Sequence, residues 1–230
     1  MIKGIMFDFS GTLFRVEPTA RWLGAVATAA GVELTAEELA DGARRLQEYG
    51  ALPGGAEPRV LPAELVEAWE TRDLSAARHR AAYAGLARAA GSPGPELADA
   101  LYDRHLTPEA WQPYPDTEPV LRELRRRGLP VAVVSNIGWD LRPVFRAHGL
   151  DELVDAYLLS YEVGVQKPDP VIFEAACDRL GLAPSDVLMV GDSRAADGGA
   201  AALGCPFLPV DHLPVDRRPN GLTPLLDLLS

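Results

Sequence analysis

The sequence predicts an α/β fold built on a parallel sheet, with an all-helical segment inserted after the first strand. Three observations predict it. Short, nearly continuous apolar runs recur along the chain, helix-period segments separate them, and from about residue 18 to 113 helical patterns follow one another with no strand between them. Strands buried on both faces read as unbroken runs of Val, Ile, Leu and Phe, whereas strands with one wet face alternate. Strands alternating with helices then imply parallel pairing.

Taken in order, "IKGIMFDF" is the first strand. The insert follows, with Ala-, Leu- and Arg-rich helices in "AELVEAWETR", "DLSAARHRAAYAGLARAAG" and "PELADALYDRHL", broken at "LPGGAEPRVLP" and "GSPGP". "TEPVLRELRRRG" places Val120, Leu121 and Leu124 on one helix face and stops at Gly128. "PVAVVSN" and "DAYLLSYEVG" are the second and third strands, "DPVIFEAACDRLG" is a helix ending at Gly181, and "DVLMVGD" and "CPFLPV" complete the sheet.

The chain has 230 residues, 47% hydrophobic and 24% charged, which predicts a soluble globular protein. Its net charge of −11 gives no general electrostatic hold on nucleic acid or on an anionic membrane, so neither is an expected partner. Cys177 and Cys205 form no CxxC or Cys/His cluster and read as reduced, buried thiols. The N-terminal apolar run is too short and wrongly flanked for a signal peptide, and a cytoplasmic protein is expected.

The basic residues are nearly all arginine, the only lysines being Lys3 and Lys167. The run Arg125 to Arg127 closes a predicted helix, where cations complement the dipole. Trp22, Trp69, Trp111 and Trp139 read as core or domain-interface residues. His79, His105, His148 and His212 are scattered without metal-ligand spacing, and no role is assigned to them.

Ligands of open α/β sheets bind outside the carboxyl ends of the strands. Asp8 and Thr12 follow the first strand, Ser135 and Asn136 the second, Lys167 the third, and Asp192 and Asp197 the fourth. Each alone is a common turn or cap residue. Together they suit a divalent cation and an anionic group: Mg²⁺ takes one or two carboxylates and substrate phosphate oxygens, and Asp8 and Asp192 are the candidate ligands. Ser135, the amide region of Asn136 and Lys167 would face the phosphate, and Asp8 is a candidate nucleophile.

"DFSGTL", "VVSN", "KPDP" and "VGDSRAAD" resemble, in order and spacing, the four motifs of the haloacid dehalogenase-like (HAD) hydrolase superfamily. The helical insert resembles the cap of subfamily I. The resemblance implies a Rossmann-like core over residues 1–17 and 113–230 and a helical cap domain over 18–112. It implies an Mg²⁺-dependent phosphatase acting on a small phosphorylated metabolite, with Asp8 as nucleophile, Thr12 and Ser135 bonded to the transferring group, and Lys167 orienting it. Asp8, the Ser10 backbone carbonyl and Asp192 would bind Mg²⁺, while Asp197 either supports Lys167 or stands in the metal's outer shell.

One position departs from that pattern. Phosphatases that resemble this chain usually carry Asp where it has Ser10; that acid protonates the leaving alkoxide and then activates water. A serine hydroxyl does neither near neutral pH, a loss of about 10²–10⁴-fold. Three alternatives stay open at this point. The substrate has a good leaving group, or it or the cap supplies the acid, with Glu17, Glu57, Glu64 and Asp73 as cap candidates; the chemistry is that of a 2-haloacid dehalogenase; or the chain is a non-catalytic binder of phosphate and metal. The dehalogenase branch lacks the acid matching Asp192, and a phosphonatase needs a cap lysine that residues 18–113 do not contain.

Overall fold

The computed structural model describes residues 1–91 and 97–229, and the chain divides into two compact units, residues 1–15 with 112–230 and residues 16–111. From position 92 onward, the "GSPGP" break lies outside the described residues. In chain order, β1 (Gly4–Phe7) and β2 (Phe14–Val16) lead into α1 (Thr19–Ala29), α2 (Ala36–Glu48), α3 (Val66–Glu70), α4 (Ala76–Ala90) and α5 (Ala98–His105). There follow β3 (Trp111–Pro113), α6 (Thr117–Arg126), β4 (Val131–Ser135), α7 (Arg142–Ala147), β5 (Ala156–Leu159), α8 (Ser160–Val163) and α9 (Pro170–Leu180). Finally come β6 (Val187–Gly191), β7 (Phe207–Pro209) and α10 (Pro224–Leu228).

Among the described residues, the first unit holds a five-stranded parallel sheet of order β5-β4-β1-β6-β7. Every residue of β1, β4 and β6 is buried, which is why these strands read as continuous apolar runs. Each Val, Ile or Phe so buried contributes about 1.5–3 kcal/mol. The order reverses at β1, because the chain moves outward to β4 and β5 on one side and to β6 and β7 on the other. Such a reversal opens a crevice at the strands' carboxyl ends. Asp8, Ser135 and Asp192 stand at the ends of the three central strands.

The short strands β2 and β3 are not among the expected apolar runs, and two expected segments take another form. "DAYLLSYEVG" leaves the sheet at Leu159, and Ser160 begins a single turn closed by Gly164 in the left-handed region. The Ser160 hydroxyl explains the bend, since it accepts from the Ile137 N–H at 2.9 Å and so ties this turn to the loop after β4. "AELVEAWETR" forms only a 3₁₀ turn and the short α3, which ends where the Thr71 hydroxyl donates to the Glu67 carbonyl at 2.9 Å. The arginine run is structural: Arg126 and Arg127 pair with Glu123 and Arg125 with Asp155.

The second unit is helical. Thr35 and Glu38 form a capping box at the start of α2, and α4 runs from a Ser75 cap to Gly91 in the left-handed region. Trp22 is fully buried and donates to the Leu101 carbonyl at 2.9 Å. Glu17, one of the acids considered for proton transfer, is buried and accepts two hydrogen bonds from Arg104 at 2.7 and 3.1 Å. His79, Tyr102 and His105 pack in its interior, with His79 Nδ1 2.8 Å from the Tyr102 hydroxyl. Burial pushes the His105 imidazole down to about 3 and holds His79 well below the usual range. No helix among the described residues is long and apolar enough to cross a membrane.

Candidate active site

The predicted polar residues converge within the first unit. Asp8 follows β1 directly, and its N–H donates to the Val190 carbonyl of β6 at 3.0 Å, so the sheet itself aims the residue. Lys167 is buried and its ammonium has three acceptors: Asp8 Oδ1 at 2.7 Å, Asp197 Oδ1 at 2.6 Å and the Val134 carbonyl at 2.9 Å. All three donor positions of the ammonium are thereby used. The Thr12 hydroxyl lies 3.4 Å from both Asp8 Oδ2 and Asp192 Oδ1 and bridges the two acids. Ser135 is the buried last residue of β4.

Asp197 has both oxygens engaged, Oδ1 by Lys167 and Oδ2 by the Ser193 N–H at 2.9 Å. Of its two expected placements, this geometry matches support of Lys167. A side chain can come so close because residue 191 is glycine; a Cβ there would lie 2.2 Å from Asp197 Oδ2. The Asn136 side chain is committed to main chain, accepting from the Lys167 N–H at 2.6 Å and donating to the Lys167 carbonyl at 2.9 Å. Its contribution is therefore to hold Lys167 in place. Ser10 is half-buried and forms an isolated bridge with Phe14, closing the turn after Asp8.

Electrostatically the cluster is short of positive charge. Asp8, Asp192 and Asp197 each offer a carboxylate oxygen, and these atoms lie within 4.8 Å of one another. Burial pushes Asp8 up to about 8; Lys167 opposes this, while Asp197 and Asp192 add to it. The Lys167 ammonium is held above its usual range because Asp197 and Asp8 outweigh its burial. At Asp192 burial, the largest single influence, is outweighed by His212, Lys167 and a backbone hydrogen bond acting together, and its carboxyl falls below the usual value. Three acids facing one ammonium, all with oxygen donors, fit a hard divalent cation such as Mg²⁺.

Sequence reasoning passed over two residues here. His212 Nδ1 is hydrogen-bonded to Asp192 Oδ2, and the buried Arg218 donates to the carbonyls of Gly11 and Thr12. Both come from the segment after β7. The signal available was position, since that segment also leaves a carboxyl end of the sheet.

A parallel sheet with a topological switch at β1, and an aspartate-lysine-aspartate cluster at its carboxyl end, define an α/β core with a charged site at the switch point. The family profile described as haloacid dehalogenase-like hydrolase matches residues 2–204, and the chain belongs to that family of hydrolases. It is 38% identical over 149 residues to mouse haloacid dehalogenase-like hydrolase domain-containing protein 3, covering 58% of this chain and 59% of that protein. It is 31% identical over 197 residues to a glyceraldehyde 3-phosphate phosphatase of Methanopyrus kandleri, covering 84% and 76%. Among solved structures, the L-2-haloacid dehalogenase of Xanthobacter autotrophicus matches with a TM-score of 0.66 at 23% identity, over 97% of this chain and 83% of that one, a likeness of fold. Phosphatases and dehalogenases both stand among the curated relatives, and the chain spans little more than half the length of the first of them.

Proposed function

We propose that this chain is an Mg²⁺-dependent phosphatase that acts on a small phosphorylated metabolite through Asp8. The observation that carries the reading is the placement of the Lys167 ammonium between Asp8 and Asp197, with Asp192 in the same cluster. Asp8 would attack phosphorus, forming an aspartyl-phosphate bond as the bond to the leaving oxygen breaks; water then cleaves that intermediate, releasing phosphate and restoring Asp8. Thr12 and Ser135 would donate to the transferring group, and Lys167 would neutralise it while Asp197 and Asn136 hold Lys167. Asp8, the Ser10 carbonyl and Asp192 would hold Mg²⁺, which when bound supplies charge neutralisation for the approach of an anionic phosphate to a carboxylate.

Ser10 narrows the substrate class. No proton carrier stands at that position, so the reading favours substrates whose leaving oxygen needs little protonation, such as acyl and aryl phosphates. Residues 16–111 would serve as the cap that selects the substrate and excludes water. The likeness to a glyceraldehyde 3-phosphate phosphatase supports a small phosphorylated substrate, and the acidic net charge argues against nucleic-acid or anionic-membrane partners.

A dehalogenase reading has one observation in its favour, since halide leaves without a proton and Ser10 would then cost nothing at the displacement step. Against it stands Asp192, whose charge adds repulsion beside Asp8 that a bound cation would offset. The test is turnover of acyl phosphates, aryl phosphates and 2-haloacids by purified protein, with Mg²⁺ or with EDTA, beside Asp8→Asn. Phosphate release that requires Mg²⁺ and disappears in Asp8→Asn is expected. Haloacid turnover in EDTA would move the assignment to the dehalogenases.

A further inference from the structure

Asp192 has a partner that the proposed mechanism does not use. His212 Nδ1 is hydrogen-bonded to Asp192 Oδ2, and His212 Nε2 is hydrogen-bonded to Arg15 Nη1. A guanidinium carries donors only, so Nε2 has to accept, and a neutral imidazole that accepts at Nε2 carries its proton on Nδ1. Arg15 therefore selects the tautomer that donates to Asp192.

The loop bearing His212 is anchored on both sides. Arg218 Nη1 donates to the Asp211 carbonyl at 3.0 Å and to the Gly11 carbonyl at 2.6 Å, tying this loop to the turn that follows Asp8. The Tyr114 hydroxyl donates to the Leu213 carbonyl at 2.6 Å, and the Arg218 guanidinium lies over the Tyr114 ring, 3.2 Å from its centroid. Gly11 leaves room for the arrangement: at φ +89° a Cβ would lie 2.4 Å from both Asp192 Oδ2 and His212 Nδ1. The nucleophile turn, Asp192 and His212 thus form one packed unit.

We infer that His212 is a positioning residue for Asp192: the imidazole Nδ1–H fixes Oδ2 and leaves Oδ1, the oxygen beside the Thr12 hydroxyl, as the one that would bind a cation. The inference rests on the Mg²⁺ reading. Orienting partners of metal ligands typically carry 10–100-fold of metal affinity. Loss of the imidazole donor releases the carboxylate to rotate and is expected to weaken the cation site by about 10-fold, at the lower end of that range.

The test is Mn²⁺ binding, used as a paramagnetic stand-in for Mg²⁺ and followed by electron paramagnetic resonance, on wild type, His212→Ala, His212→Asn and Asp192→Asn. Asparagine places an amide N–H close to where Nδ1 stands. The expected result is weaker binding in His212→Ala and recovery to near wild type in His212→Asn. Binding by His212→Ala equal to wild type, beside loss in Asp192→Asn, overturns the role of His212 and leaves the metal reading intact. Wild type that binds no Mn²⁺, or Asp192→Asn that binds as tightly as wild type, overturns both. Should His212→Ala fail to fold, ¹⁵N spectra of histidine-labelled wild type at mildly alkaline pH decide the matter, with the His212 signal assigned by its loss in His212→Asn. An Nδ1–H tautomer is expected, and an Nε2–H tautomer would overturn the inference.

Discussion

Lys167 Nζ lies 2.7 Å from Asp8 Oδ1, joining residues 159 positions apart in sequence in a buried pair. The ammonium has no solvent to fall back on, and neither has the carboxylate. Replacing Lys167 leaves Asp8 and Asp197 facing each other without a cation. Breaking a buried pair by removing one partner costs about 3–5 kcal/mol. We expect Lys167→Met to lose hydrolysis and to unfold at lower urea. Unchanged stability by urea denaturation would mean that solvent or protonation of the acids compensates in full.

Ser10 sets the second expectation. If a missing proton carrier limits turnover of alkyl phosphates, Ser10→Asp should raise kcat on them by up to about 10²–10⁴-fold and change acyl phosphate turnover far less. Steady-state kinetics on one alkyl and one acyl phosphate give the comparison. No gain on the alkyl ester would show that another step is limiting.

Gly191 and Asp197 make the third. A methyl at position 191 would lie 2.2 Å from Asp197 Oδ2, a distance that only displacement of Asp197 or of the strand end can relieve. Gly191→Ala should lower stability by about 1–3 kcal/mol, as overpacking does. It should also lower activity, because Asp197 cannot then keep its 2.6 Å contact with Lys167. Wild-type kinetics in a destabilised variant would separate Asp197 from function.

The buried histidines give the pH dependence. In the folded chain His105 is pushed down to about 3 and His79 well below 6.5, so below about pH 6.5 the unfolded chain binds more protons than the folded one. Their contribution is present above that pH and is lost as pH falls, by about 1.4 kcal/mol per pH unit for each histidine. Urea denaturation from pH 7.5 to 5 should show a shallower decline for the double variant His79→Gln, His105→Gln than for wild type, all other titrating groups being common to both. Parallel declines would mean that these histidines take up protons in the folded state.

Much of the fold was legible because its signals are local. Unbroken apolar runs marked β1, β4 and β6, and Gly128 and Gly181 marked helix ends, since burial on both faces and a left-handed terminus each leave a trace within a few residues. Ser160 reads as strand in the sequence because its constraint is a hydrogen bond to Ile137, 23 positions away. The sequence places the amide region of Asn136 at the phosphate, whereas its side chain spends both polar atoms on the Lys167 main chain. For His212 the one signal was its position shortly after the last strand.

By itself the sequence determined the α/β class, the family and the identities of the acids, hydroxyls and lysine at the strand ends, because hydrophobic period and motif spacing are properties of neighbouring residues. Only the tertiary structure decided how those groups pair: Lys167 between Asp8 and Asp197, Asn136 on the Lys167 backbone, Thr12 bridging Asp8 and Asp192, and His212 on Asp192. The physical reason is that the sheet order reverses at β1, which brings chain segments nearly 200 residues apart to one edge, and at such short range distance and burial rather than residue type set which charges meet.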